Sequence, residues 1–408
     1  MIVVERLTPE WSDAFLASRN SLFTKVSKEY VERVHWGKSP FPVHSFIARD
    51  DQRVMAWSTF YLRKLDVRGD ATSPLRAAMA CAIGTLSEYQ RQGLGRKVWR
   101  LAEEALASEA DAIMLYTSEG GKGFPFYRAQ GHLPLFYPRP MRMSASGGDR
   151  TEQPNVTTRP FAESQALSAR RSEIFASCYR GYGGFMVGRP ESLDQWGEIS
   201  FLYDSSTMGC LPQISWLESP DRNLTAYAIW TGPIRKMGWK KDVVEVWELA
   251  STDDCDVESL RCLLGPARAA ACDGNGQIDW WAAPGHRLAE QMLELGFEER
   301  PRSLSVMGKV FDPARFLSHQ LQERGASRVP VECNCVANRR LELRLNDCDA
   351  EIEVDAATRI LFGRSTASLE CQHGLLTIRP THKLRATIEL LDRIFPLAKW
   401  GYFESEFI

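Results

Sequence analysis

A chain of 408 residues is roughly 2.7 times the common domain length of about 150, which predicts two or three domains, each large enough for its own core. Hydrophobic residues at 44% and charged residues at 25% exclude a mainly disordered chain. Fifty Lys and Arg against 52 Asp and Glu leave a net charge of −2, so no overall basic field draws the chain to nucleic acid or an anionic membrane, and neither is expected as a partner.

At the N-terminus only four apolar residues precede Glu5 and Arg6, and no later apolar run approaches the ~18 residues of a membrane span. A cytoplasmic protein without a signal peptide is expected. A first block, 1–144, opens with a helix-like stretch from Glu10 to Val34, followed by strands at His44–Arg49, Val54–Leu65 and Ala77–Leu86. Val98, Leu101, Ala102, Ala105 and Leu106 recur at helical spacing and predict a sheet-packed helix from Gly95 to about Ser108. A strand at Ala112–Thr117, a Gly/Pro-rich turn and a short helix around Phe126–Gln130 complete the block. Turn formers from Ser144 to Pro154 read as a linker.

A second block, 155–310, follows in a similar order: a helix-like stretch at Phe161–Tyr179, strands at Thr225–Trp230 and Val243–Leu249, a helix at Val257–Cys272, a strand at Ile278–Ala282 and a short helix ending at Phe297. The third, 311–408, shows an opening helix, strands at Leu341–Leu345, Ala350–Val354 and Leu375–Ile378, and a helix at Thr381–Ile394. The expected class is α/β, two tandem mixed-sheet domains followed by a small α+β domain. The ten dispersed cysteines read as reduced thiols. Cys333 and Cys335, like Cys371 and His373, are spaced to share a strand face, and adjacent strands could join them in a Cys3His zinc site. The C-x-C spacing lacks the turn of most structural zinc sites, so packed thiols are the expectation and no metal is assigned.

The chemistry concentrates in residues 82–97, a strand that runs through a glycine turn into the amphipathic helix. Gly93 and Gly95 admit close backbone approach, and the N–H groups from Gln92 through Leu94 to Arg96 fall where a first helical turn leaves donors unpaired, a natural phosphate site. Arg91, Arg96 and Lys97 add positive charge suited to a diphosphate. Val98 stands where a dinucleotide-binding fingerprint needs its third glycine, and no Walker sequence occurs.

What remains, Q-x-x-G-x-G after a strand, resembles the acetyl-CoA pyrophosphate signature of the GCN5-related N-acetyltransferases (GNAT). A second motif, Phe126-Tyr127-Arg-Ala-Gln-Gly131-His132, begins beyond the next strand and resembles that superfamily's closing F-Y-x-x-x-G-[FY], with His132 in place of the usual aromatic. The resemblance implies acetyl-CoA as co-substrate, held by Thr85, Leu86, Ser87, Arg91, Gln92, Gly93, Leu94, Gly95, Arg96 and Lys97. It also implies Tyr127 as general acid toward the departing thiolate and the backbone N–H near Leu86 as oxyanion donor.

Two such blocks and a terminal α+β block resemble the Eis (enhanced intracellular survival) group, whose last domain is similar to sterol carrier protein. Thr117-Ser-Glu-Gly-Gly121 resembles that group's loop, here lengthened by Lys122–Phe126, and brings Ser118 and Glu119 into the expected cofactor set. The resemblance further implies the C-terminal carboxylate, on Ile408, as base, and a homo-oligomer, commonly a hexamer. Its acceptors are small-molecule amines, such as aminoglycoside-like ones, or lysine side chains. Trp36, Trp57 and Phe60 fall where this fold lines the acceptor site, although core packing explains them equally well. In the second block the corresponding turn, Ala250-Ser-Thr-Asp-Asp-Cys-Asp256, has no glycine, and three carboxylates there would repel a pyrophosphate, which predicts a degenerate copy.

Overall fold

A computed structural model of the protein describes residues 1–23, 25–37, 41–66, 74–145, 155–186, 212–232, 234–236, 239–241, 243–272, 276–323, 331–336, 340–345, 348–379, 384–395 and 399–400. The first half runs β1 (Val3–Arg6), α1 (Ser12–Leu22), α2 (Lys28–Trp36), β2 (Val43–Arg49), β3 (Val54–Asp66), β4 (Leu75–Thr85), α3 (Leu94–Leu106), β5 (Ala112–Ser118), α4 (Gly123–Ala129) and β6 (Leu133–Phe136). The single opening helix expected over Glu10–Val34 is two. Asn20 bonds Val26 through both its amide nitrogen (2.9 Å) and oxygen (3.1 Å), which stops α1, and the Ser27 side chain accepts from Tyr30 N to restart the helix as α2.

The second half comprises β7 (Arg139–Ser144), β8 (Val156–Pro160), α5 (Ser168–Cys178), the short β9 (Tyr182–Gly183) and β10 (Phe185–Met186), β11 (Gln213–Glu218), β12 (Leu224–Thr231) and the hairpin β13 (Ile234–Lys236) and β14 (Trp239–Lys241). It continues through β15 (Val243–Ser251), α6 (Val257–Leu263), α7 (Gly265–Cys272), β16 (Gln277–Ala282), α8 (Arg287–Glu294), β17 (Glu298–Glu299) and β18 (Leu304–Val310). The helix expected over Val257–Cys272 breaks between α6 and α7 at Leu264, just ahead of Gly265 and Pro266, where proline withdraws a donor.

The two principal sheets have matching orders, β1-β2-β3-β4-β5-β18-β6 and β8-β11-β12-β15-β16-β7-β17, with β10 added to β3. Strand for strand the second repeats the first, and each sixth strand comes from the other half. β18 lies between β5 and β6, in register with β5 from Leu304↔Ser118 to Val310↔Ala112, while β7 pairs with β16 from Gln277↔Ser144 to Ala282↔Arg139. Both sheets are mixed: β4 and β5 pair in parallel, as do β15 and β16, and the other neighbours in each order pair antiparallel.

The remainder is α9 (Pro313–Glu323), β19 (Val331–Val336), β20 (Arg340–Leu345), β21 (Cys348–Glu353), α10 (Val354–Leu361), α11 (Ala367–Gln372), β22 (Leu376–Arg379), α12 (Leu384–Ile394) and β23 (Lys399–Trp400). Strands β19 to β22 form an antiparallel meander. Cys371 lies on α11 and His373 is that helix's C-cap, not strand residues, because Thr366 caps a helix there. Strands β20 and β21 also separate β19, which carries Cys333 and Cys335, from β22. Among the described residues no group of His, Cys, Asp and Glu side chains could hold a metal ion, and no helix is long and apolar enough to cross a membrane. One apolar cluster runs from the α1/α2 face of the first sheet into this third unit, through Val306, Val310, Phe316 and Leu341.

Candidate active site

Pairing between β4 and β5 covers only Ala77↔Ala112 to Met79↔Met114, after which the strands diverge. The cause is local to β4. Its register against β3 shifts between Trp57 and Thr59, and Ala82 adopts a φ of 49°, so a bulge turns the strand away from β5. The splay opens beside the turn that follows.

Past Thr85, Arg91 and Gly93 both take left-handed φ, 62° and 78°, and α3 starts at Leu94. The first i→i−4 bond of the helix is Lys97 N to Gly93 O (3.1 Å), so the amides of Leu94, Gly95 and Arg96 have no intrahelical acceptor, and no side chain caps them. Arg91, Gln92, Gly93, Arg96 and Lys97 are exposed around these donors, and Leu94 is buried beneath them. A Cβ on Gly95 would lie 3.2 Å from Thr85 Oγ1, so glycine there lets helix and strand close up.

No acidic residue occupies the first turn of α3, and among the described residues Arg91, Arg96 and Lys97 have no ion-pair partner. Cations at a helix N-terminus oppose the macrodipole, an arrangement that an anionic ligand reverses. Ser87 donates to Glu88 (3.1 Å), Glu88 pairs with Arg53 (2.7 Å), and the Gln92 side chain donates to Glu88 O (3.1 Å), bracing the turn from below.

The corresponding place in the second half is closed. Asp256 caps α6 by accepting from Ser259 N (2.8 Å), so a carboxylate already occupies the anion position. Arg287 fills the end of β15, donating to Ser251 O (2.7 Å) and Thr252 O (2.8 Å). His286 stacks on Tyr179 at 4.4 Å, accepts from Leu288 N and bonds Cys178 O (2.8 Å), so its ring is spent on packing and capping.

Tyr127, on α4, is 8% exposed and packs against Trp99 (5.3 Å), Phe126 (5.2 Å) and His132 (6.1 Å). Burial, reinforced by the neighbouring Cys81, pushes its phenol well above the ordinary value, so it holds its proton. The Lys122–Phe126 insertion is absorbed into the start of α4, which begins at Gly123, where a Cβ would come 3.0 Å from both Tyr127 and Thr117. His132 packs as the aromatic it replaces, fully buried against Trp99 at 5.3 Å, and burial pushes its pKa down to about 3.

Several expected site residues stand elsewhere. The Leu86 N–H donates to Met55 O (2.9 Å) and is not free to polarise a carbonyl. That bond makes Ala56↔Thr85 a non-hydrogen-bonded pair, so the Thr85 N–H points away from β3 toward the splay. Glu119 accepts from Tyr137 (2.8 Å) and donates its amide to Ser303 O (3.0 Å), tying its loop to the approach of β18, and the backbone of Ser118 pairs with Leu304. Phe60 is completely buried under α3, against Phe46 and Trp99, because its strand position points away from the acceptor face. Trp57 does face α1 and α2 but is 1% exposed, wedged over Gly84 and edge-on to Phe15 and Phe23. Trp36, 39% exposed at the end of α2, remains accessible. Ile408 lies outside the described residues.

Sequence reasoning passed over Tyr116, Cys81, Arg19 and Arg63. Alternation along β5 puts Ile113 and Leu115 toward α3 and Met114 toward α1 and α2, so Tyr116, 37% exposed, faces the acceptor side, which period-two reading of Ala112–Ser118 would have found. Arg19 and Arg63 lie close enough to Cys81 to oppose the rise of its thiol pKa on burial, a neighbourhood made by tertiary packing alone.

Residues 5–131 match the model of the acetyltransferase (GNAT) family. No curated protein matches the chain. Among solved structures, Eis1 from Mycobacterium abscessus is 15% identical with a TM-score of 0.58, covering 99% of each chain. A GCN5-related N-acetyltransferase from Kribbella flavida is 14% identical with a TM-score of 0.60, covering 98% of each chain. A tandem GNAT protein from the clavulanic acid biosynthesis pathway, 12% identical with a TM-score of 0.52, covers 77% of this chain and 99% of its own. Residues 5–131 thus match the acetyltransferase (GNAT) family, and the whole chain has the fold of tandem GNAT proteins.

Proposed function

We propose that the chain transfers the acetyl group of acetyl-CoA to a primary amine, on a small molecule or a lysine side chain, at the splay of β4 and β5. The observation that carries this is the N-terminus of α3, uncapped and ringed by Arg91, Arg96 and Lys97, which fits a pyrophosphate. Acetyl-CoA supplies an activated acyl group. The Thr85 N–H takes the part of backbone donor toward the developing oxyanion, in place of Leu86, and Tyr127 gives its proton to the leaving thiolate.

The base we propose is the carboxylate of Ile408. In support, β23 pairs in parallel with β9 through Lys399↔Tyr182 and Trp400↔Gly183, and β10, two residues beyond β9, pairs with the end of β3. The last described residues thus run beside the Leu65–Asp66 end of β3, opposite the start of β4. Eight further residues reach at most about 28 Å.

The test is thiol release from acetyl-CoA across a panel of amines, with Tyr127→Phe beside the native chain. Tyr127→Phe should bind CoA unchanged in calorimetry and lose about 10²- to 10³-fold in turnover. Turnover equal to the native chain's would remove Tyr127 from the mechanism. Undiminished CoA uptake by a Gly93→Ala, Gly95→Val double variant would overturn the cofactor site itself.

A further inference from the structure

At the other end of β4, about 30 Å from the glycine turn, a cleft of about 370 Å³ opens between the first sheet and α9. Arg76 and Asp111 line it from the sheet, and Arg315, Phe316 and His319 from the helix. Asp111 is the one carboxylate among the described residues of this lining, and it is held by Arg76. It accepts from the Arg76 guanidinium through both oxygens (2.6 and 3.1 Å) and from Arg76 N (3.0 Å). Arg315 stands 3.7 Å away, beyond a direct hydrogen bond, with its side chain 50% exposed.

Lys64 stands beside Arg76 at this end of the sheet. It is directly opposite Arg76 across β3 and β4, on the same face, an unfavourable like-charge pair. Among the described residues nearby, Glu109 bonds His44 (3.1 Å) and Asp312 accepts from the Arg315 amide (2.9 Å). Phe316, 4% exposed, gives the cleft an apolar wall.

We propose that this cleft binds a small phosphate monoester, which would bridge the first sheet and the third unit through Arg76, Arg315 and His319. Arginine and imidazole donors converging from two elements suit a tetrahedral dianion. The volume exceeds what a bare phosphate needs, and Phe316 offers the organic body a surface.

The probes are inorganic phosphate, phenyl phosphate and benzoate, titrated into the full chain by calorimetry. Phenyl phosphate should bind more tightly than inorganic phosphate, and benzoate at least tenfold more weakly than phenyl phosphate. Arg315→Gln, at an exposed position that leaves the Arg76–Asp111 pair intact, should weaken phenyl phosphate at least tenfold. Gly93→Ala with Gly95→Val should leave that binding unchanged, which separates this cleft from the cofactor turn. The proposal is overturned if phenyl phosphate does not bind at up to about 10 mM, if Arg315→Gln binds it as the native chain does, if benzoate matches it, or if the double glycine variant abolishes the signal.

Discussion

At the scale of single residues, the site depends on which backbone groups are already spent. Leu86 and Thr85 are neighbours with opposite fates, because one N–H closes the β3 ladder and the next points to the splay. His132 has a different cost. Its ring is fully buried, and the folded chain keeps it neutral down to about pH 3, as it does His35 to about 4 under burial and the charge of Arg19. The unfolded chain takes up a proton on each ring below about pH 6.5. Stability is therefore complete above that pH and falls on acidification, by up to about 1.4 kcal/mol per pH unit for each ring. His132→Phe should remove one of these slopes, losing roughly 2 kcal/mol less than the native chain between pH 7 and 5 in urea titrations. Parallel losses in the two proteins would show that His132 is not buried neutral.

At the scale of elements, the exchanged strand β18 is tied to α3. Lys309 on β18 pairs with Glu103 on α3 at 2.7 Å, and the same carboxylate oxygen accepts from Trp99 Nε1 at 3.0 Å. Both charged groups are largely buried, so deleting one leaves the other short of a partner. Lys309→Met should cost about 1–3 kcal/mol, read as a lower urea midpoint with an unchanged m-value. An unchanged midpoint would mean that the pair contributes nothing. Such ties were invisible in the chain order, which separates Glu103 from Lys309 by the entire second half. The pattern of α3 was legible because Val98, Ala102 and Leu106 repeat at its period, whereas the four residues of β1 and the two-residue strands carry too little pattern to read.

At the scale of the whole molecule, the reciprocal exchange of β7 and β18 makes each sheet incomplete without the other half. Residues 1–144 alone would leave β5 and β6 without the strand that joins them, exposing unpaired edges inside the sheet. That fragment is expected to be unfolded or aggregated by circular dichroism and size-exclusion chromatography, and a cooperative thermal transition would contradict the exchange. The sequence by itself determined the glycine turn, the amphipathic α3, the tyrosine motif and the absence of a phosphate-binding turn in the second half, because all four are written in contiguous residues whose spacing sets backbone conformation and charge. Only the tertiary structure decided that Phe60 and Trp57 are core, that the Leu86 amide is consumed, that Arg287 and Asp256 close the second site, and that β18 completes the first sheet. Those outcomes depend on which distant groups meet, and a local pattern carries no information about a partner 200 residues away.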